Sequence, residues 1–206
     1  TGCPPSSGDQ EVVLGSASTL SVSNSGGMVS VLGGSSGDTI FLSYEVHSDN
    51  GEATVADVDL VAGESDASFV VSVVTPGPHV WVDLVVGVPA WLPYLVTTGT
   101  GDVFLESMNS SGEVQTATGR ISAAGLDGGL IVGAVSSEVS VDLRLSDGAL
   151  LDVTLEDGPI EVVLPSDSHL DFHATTDSGV VEVWDLVFSG DENATGLNGV
   201  LGNGGL

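Results

Sequence analysis

A polar turn recurs through the second half of this chain at nearly constant spacing: Thr or Ser, then glycine, then a β-branched residue. It stands at Thr98-Gly99-Thr100-Gly101-Asp102-Val103, Thr116-Ala117-Thr118-Gly119-Arg120-Ile121, Thr154-Leu155-Glu156-Asp157-Gly158-Pro159-Ile160 and Thr175-Thr176-Asp177-Ser178-Gly179-Val180. Gly101 and Gly119 are 18 residues apart, and Gly158 and Gly179 are 21 apart. Ser137 falls 18 after Gly119 and 21 before Gly158, so Ser136-Ser137-Glu138-Val139 reads as the same turn with its glycine lost. A fixed period of about 20 residues built from short strands and turns predicts stacked coils, because one coil cannot bury its apolar face alone. The expectation is an all-β fold, a β-solenoid of strand-turn coils in one elongated domain.

The rest of the chain fits that frame. Residues 1–10 read as a linker or lipid tether and 11–190 as the β-solenoid domain, with an N-terminal β region over 11–93 and regular coils over 94–190. Strands are expected at 29–32, 39–47, 54–61, 68–74 and 80–88, between clusters of Gly, Ser, Asp and Asn. In the last of these Val80, Val82, Leu84, Val86 and Val88 share one face, since strand side chains alternate, while His79, Trp81, Asp83 and Val85 share the other. Pro89-Ala90-Trp91-Leu92-Pro93 reads as a bend. Helical spacing is absent and Val, Thr and Gly dominate. Residues 191–206 form a Gly-rich tail dotted with Leu197, Val200, Leu201 and Leu206. It is either without structure of its own or ordered by lying on another surface.

Two arginines and no lysine stand against 29 acidic residues, a formal charge of −27. A field of that sign repels phosphates and anionic headgroups, which disfavours nucleic acid as a partner and invites divalent cations. Solubility, or life in salty surroundings, accounts for the acidity equally well. No apolar run approaches the ~18 residues of a spanning helix.

The single cysteine, Cys3, makes no intrachain disulfide. Thr1-Gly2-Cys3 followed by Pro4-Pro5-Ser6-Ser7-Gly8-Asp9 is similar to a bacterial lipoprotein cleavage box and its polar spacer, which makes Cys3 the expected lipid attachment and the membrane an expected contact. A free or intermolecularly bonded thiol is the alternative.

From about 26 to 190 the chain resembles the bacterial putative-adhesin family of β-solenoid domains. The resemblance lies in Gly27-Met28-Val29-Ser30-Val31, in Val86-Gly87-Val88-Pro89 leading to Val96-Thr97-Thr98-Gly99-Thr100-Gly101-Asp102-Val103, and in Thr118-Gly119-Arg120-Ile121. It continues in Ile160-Glu161-Val162-Val163-Leu164-Pro165 and Thr175-Thr176-Asp177-Ser178-Gly179. It implies an extracytoplasmic domain, often in lipoproteins, with no catalytic residues to carry over. It also implies a last strand and a further Thr-Gly turn where this sequence has Gly202-Asn203-Gly204-Gly205-Leu206, leaving the final coil in need of a cap.

Chemistry-bearing patterns are few. His169, Asp171 and His173 alternate with Leu170 and Phe172, so a strand turns all three to one side, and imidazole with carboxylate suits zinc. Alternate residues lie about 6.5–7 Å apart, which strains a shared metal. No cofactor is expected: the acidic turns around Asp147, Asp152 and Asp157, and around Asp49, Asn50 and Glu52, read as ordinary charged turns, with calcium, held by their carboxylate and carbonyl oxygens, as the alternative. No Gly-x-Ser-x-Gly elbow is present, and Arg120 and Arg144 are the only bases for lyase chemistry. The exposed aromatics Trp81, Trp91 and Trp184 suit sugar stacking or the capping of a core.

The expected function is therefore a non-catalytic surface protein, structural or adhesive, outside the cytoplasm. The rival expectation is a self-assembling subunit whose tail, through Leu197, Val200, Leu201 and Leu206, adds a strand to the next copy. A carbohydrate-active enzyme is the third.

Overall fold

The structure, a computed structural model, describes residues 7–35, 37–49, 57–143, 149–165, 168–183, 188–193 and 195–201. Among them are seventeen strands and no α-helix, as the composition predicted. The first seven are β1 (Ser7–Val13), β2 (Thr19–Gly26), β3 (Val29–Gly33), β4 (Thr39–Ser48), β5 (Asp59–Ser65), β6 (Ser68–Val74) and β7 (Val80–Val88). Then come β8 (Tyr94–Thr100), β9 (Val103–Glu106), β10 (Gly112–Leu126), β11 (Leu130–Leu143) and β12 (Ala149–Asp157). The last are β13 (Ile160–Val163), β14 (Leu170–Ser178), β15 (Val181–Val183), β16 (Phe188–Asn193) and β17 (Gly196–Leu201). Of the strand expected over 54–61, residues 54–56 lie outside the described residues, and from Asp59 a strand runs on to Ser65 in register with its hairpin partner β6.

All seventeen belong to one connected sheet, in which two parallel runs can be followed. One passes β6, β2, β8, β10, β11, β12, β14. The other passes β7, β3, β9, β10, β11, β13, β15. The long strands β10 and β11 belong to both, since each continues across the corner that elsewhere separates two short strands. The N-terminal region joins the same ladder, with Leu20 beside Tyr94 and Val29 beside Val103. Residues 89–93 thus connect β7 to β8.

The corners explain the recurring turn. Gly27, Gly101, Gly119 and Gly158 have φ of +102°, +131°, +132° and +126°, a region that side chains avoid. They also stack: a Cβ on Gly101 would strike the carbonyl of Gly27, one on Gly119 that of Gly101, one on Gly158 that of Ser137, and one on Gly179 that of Gly158. The expected series of Gly101, Gly119, Ser137, Gly158 and Gly179 is therefore a physical column, extended at its start by Gly27. Rungs approach closely there because nothing projects.

Inside, alternation makes ladders. Leu84, Val29, Val103, Ile121, Val139 and Ile160 lie side by side across successive strands, all buried. Val71, Val22, Val96, Val114, Val132, Val153 and Ala174 form a second ladder. Each branched side chain contributes about 1.5–3 kcal/mol by leaving water. Next to the corners the inward position is polar on β2, β8, β10 and β14, with Asn24, Thr98, Thr116 and Thr176 buried, and apolar on β11 and β12, with Ala134 and Leu155. Thr98 donates to Thr116 at 2.8 Å, Thr116 donates to the Thr118 carbonyl at 3.1 Å, and the Asn24 amide donates to the Val82 carbonyl at 2.8 Å. The threonine of the turn thus satisfies backbone that the bend leaves over. Thr154 departs from the pattern: it faces outward beside Gly133 and Thr175, and Leu155 takes the inward place.

The ends are antiparallel. At one end β5 pairs with β6, and β4 with β7 and β1. At the other, β17 pairs with β14 and with β16.

Candidate functional site

On β14 the predicted alternation holds: Leu170, Phe172 and Ala174 are buried, Asp171 is exposed and His173 is half-buried. His173, however, turns to the next rung. Its Nδ1 lies 2.9 Å from Oδ1 of Asp152, its lateral neighbour on β12, 21 residues earlier. Alternate positions on a strand lie about 6.5–7 Å apart, so a carboxylate on the next rung is within closer reach of His173 than Asp171 is. Among the described residues no three His, Cys, Asp or Glu side chains are placed to hold a metal ion.

The acidic turns are drawn into similar pairs. Asp49 Oδ2 lies 2.6 Å from Nδ1 of His79 on the surface. Asn50, Glu52 and Asp147 lie outside the described residues. Along the corner column the Arg120 N–H donates to Asp102 Oδ1 at 2.8 Å, and its guanidinium Nη2 donates to Glu138 Oε2 at 3.0 Å. Both side chains of the latter pair are over half exposed, so it fixes the arginine more than it stabilises the fold. Arg144 and Trp184 lie outside the described residues, as do Cys3 and Leu206.

Over its described residues the tail lies on its own chain. β16 and β17 form a hairpin, and β17 lies antiparallel on β14, with Leu197 beside Ala174, Val200 beside Asp171 and Leu201 beside Leu170. Leu197 is 2% exposed within the chain's own core. The strand expected to augment a neighbour instead covers the last rung of its own chain, the cheapest protection for a bare strand edge.

One cluster was half-legible. Trp81, on the outward face of β7, sits opposite His47 of β4 in register, and the two rings stack at 5.7 Å with 16° between their planes. His47 Nε2 lies 3.1 Å from Asp83 Oδ2, and Asp83 Oδ1 accepts the Met28 N–H at 2.9 Å. One face of the indole is therefore covered by a ring that lies beside the Asp83 carboxylate, although among the described residues its buried Nε2 makes no hydrogen bond. It borders a cleft of about 370 Å³ together with Ser25, Gly26, Thr75, Pro78 and Thr100. Alternation along 80–88 put Trp81 and Asp83 on one face. His47 was out of reach because its place depends on antiparallel register. Trp91, in the 89–93 connection, is 54% exposed.

No family model matches the chain, and neither does any curated protein. Among solved structures it is similar to a putative cell adhesion protein from Clostridium sporogenes, at 10% identity over 80% of this chain and 76% of that one, with a TM-score of 0.46. That overlap is too slight to assign a fold or a role.

Proposed function

We propose that the parallel rungs are coils of a β-solenoid and that the chain is a non-catalytic, extracytoplasmic surface protein, structural or adhesive, of the adhesin-like kind its turns resemble. The observation that carries this is the corner column. Strands displaced by 18 and 21 residues pair in parallel while Gly101, Gly119, Ser137, Gly158 and Gly179 stack backbone to backbone. A stack of that kind is a stiff rod presenting the same outward positions again and again, which suits display at a surface. Cys3 supplies the lipid attachment in this reading, and the acidic exterior keeps rods apart.

The test is attachment. Beads carrying the chain are expected to hold to cells or extracellular matrix, and intact cells expressing the full-length protein to lose it to added protease. Beads that attach no better than bare ones overturn the adhesive reading, and a protein found only in the cytoplasm overturns the location.

A second reading, self-assembly, is favoured by β1, β5, β15 and β16, each of which among the described strands pairs on one side only. Contact between copies would use one of those edges, since Leu197 is already committed within the chain.

A further inference from the structure

We propose that the cleft beside Trp81 binds a neutral sugar, one or two pyranose rings of a surface glycan. The inference rests on the adhesive reading, to which it gives a ligand class. The first support is the wall of the cleft. Its lining carries no charged side chain, although the chain has a net charge of −27 and the grooves elsewhere on the surface include Glu156, or Asp102, Arg120 and Glu138, or Glu161. A cleft kept free of carboxylates on such a protein is matched to an uncharged ligand, and uronates or sulfated sugars are turned away by the surrounding field.

The second support is preorganisation. His47 does not line the cleft; its ring stacks on the indole at 5.7 Å, and β4 and β7 set the two residues opposite each other, so packing limits how far the indole can turn. An aromatic ring fixed before binding loses little entropy when a flat C–H face is laid on it. The third is the placing of hydroxyls. Ser25 and Thr75 pair at 3.0 Å at the rim and Thr100 is exposed beside them, donors and acceptors of the kind that read sugar hydroxyls. Gly26 keeps the floor low, since a Cβ there would come within 3.3 Å of the Thr100 hydroxyl oxygen. The volume lies near the lower end of the about 300–1,000 Å³ of ligand clefts, which suits a short sugar.

The experiment screens the purified chain against neutral oligosaccharides of glucose, galactose, mannose and N-acetylglucosamine, with oligogalacturonate as the charged contrast. At least one neutral probe is expected to bind, with affinity reduced roughly tenfold or more by Trp81→Ala, reduced less by Thr100→Val and unchanged by Trp91→Ala. Circular dichroism checks the fold of each variant, and Thr100→Val, at an exposed position, keeps the test open if Trp81→Ala unfolds. The proposal is overturned if no neutral probe binds up to about 10 mM, if binding survives Trp81→Ala in a folded protein, or if oligogalacturonate binds as well. Cell attachment that persists in a folded Trp81→Ala variant overturns the sugar site and leaves the adhesive reading standing. Sugar binding without any cell attachment does the reverse.

Discussion

Ser137 lies directly beside Gly119 in the parallel register of β10 and β11, yet it turns the corner without the left-handed backbone that Gly119 uses. The column therefore carries a side chain at the level of β11, although β10 also runs on through its corner and does so with glycine at positive φ. Gly119→Ala and Gly158→Ala are each expected to cost about 3 kcal/mol or more, since a Cβ meets both an unfavourable φ and a carbonyl of the rung below. Ser137→Ala should be neutral or stabilising by about 1 kcal/mol, because the Ser137 hydroxyl is buried with no partner among the described residues. Denaturant melts of the three variants check this. A Gly119→Ala variant as stable as the parent would mean that the column does not constrain the backbone.

Tyr94 lies flat over Gly112 of the next rung, whose missing side chain leaves the space for its ring. Burial pushes its phenol well above the usual range, and its oxygen has no partner among the described residues. Once unfolded, a tyrosine ionises near pH 10. Above that pH the unfolded chain gives up a proton that the folded chain keeps, so this contribution to stability is whole below about pH 10 and lost progressively above it. Tyr94→Phe should flatten the alkaline fall in stability and leave neutral-pH stability equal or higher by about 1 kcal/mol. An unchanged alkaline slope in thermal melts would count against the buried phenol. Gly112→Ala, by contrast, should be strongly destabilising.

How much of this was legible follows from the range of each interaction. The corner series could be read because a positive φ, a close backbone contact or both demand glycine at every level of the column except that of Ser137. The inward faces of β7 and β14 could be read because alternation is local. The direction of the turn threonines could not be read, since a threonine near a turn looks alike whether it faces in, as Thr98 and Thr116 do, or out, as Thr154 does. The pairing of His173 with Asp152 needed the 21-residue register, and that of His47 with Trp81 the register of β4 on β7. The tail was harder still. Leu197, Val200 and Leu201 look the same whether they dock on their own chain or on another, and the choice of β14 is made by tertiary packing.

The net charge of −27 predicts a salt response. Raising ionic strength from about 10 mM to about 1 M shortens the screening length from about 30 Å to about 3 Å, so the melting temperature should rise as carboxylate repulsion is damped. Asp152 and Asp49 are already paired with histidines, which leaves those turns poor as calcium cages. Calcium and sodium chloride at matched ionic strength are therefore expected to stabilise about equally. Stabilisation by millimolar calcium well beyond that of sodium would instead establish a specific cation site on the acidic turns.

Removing the C-terminal hairpin should produce association rather than prevent it. In the full chain β17 occupies the edge of β14 from Leu170 to Thr175, and Leu197 completes the core over Ala174. Deleting residues 188–206 would bare a row of backbone donors and acceptors next to an apolar surface, the arrangement that recruits a strand from another molecule. The truncated protein should melt at a lower temperature and form oligomers on light scattering, with its β spectrum retained. Leu197→Ala separates the two effects. It should cost about 2–5 kcal/mol through the cavity it leaves, while β17 stays in place and the protein remains no more associated than the parent. A truncated chain as stable and as dispersed as the parent would show that the hairpin is not the cap, and the open face would then have to be protected by charge alone.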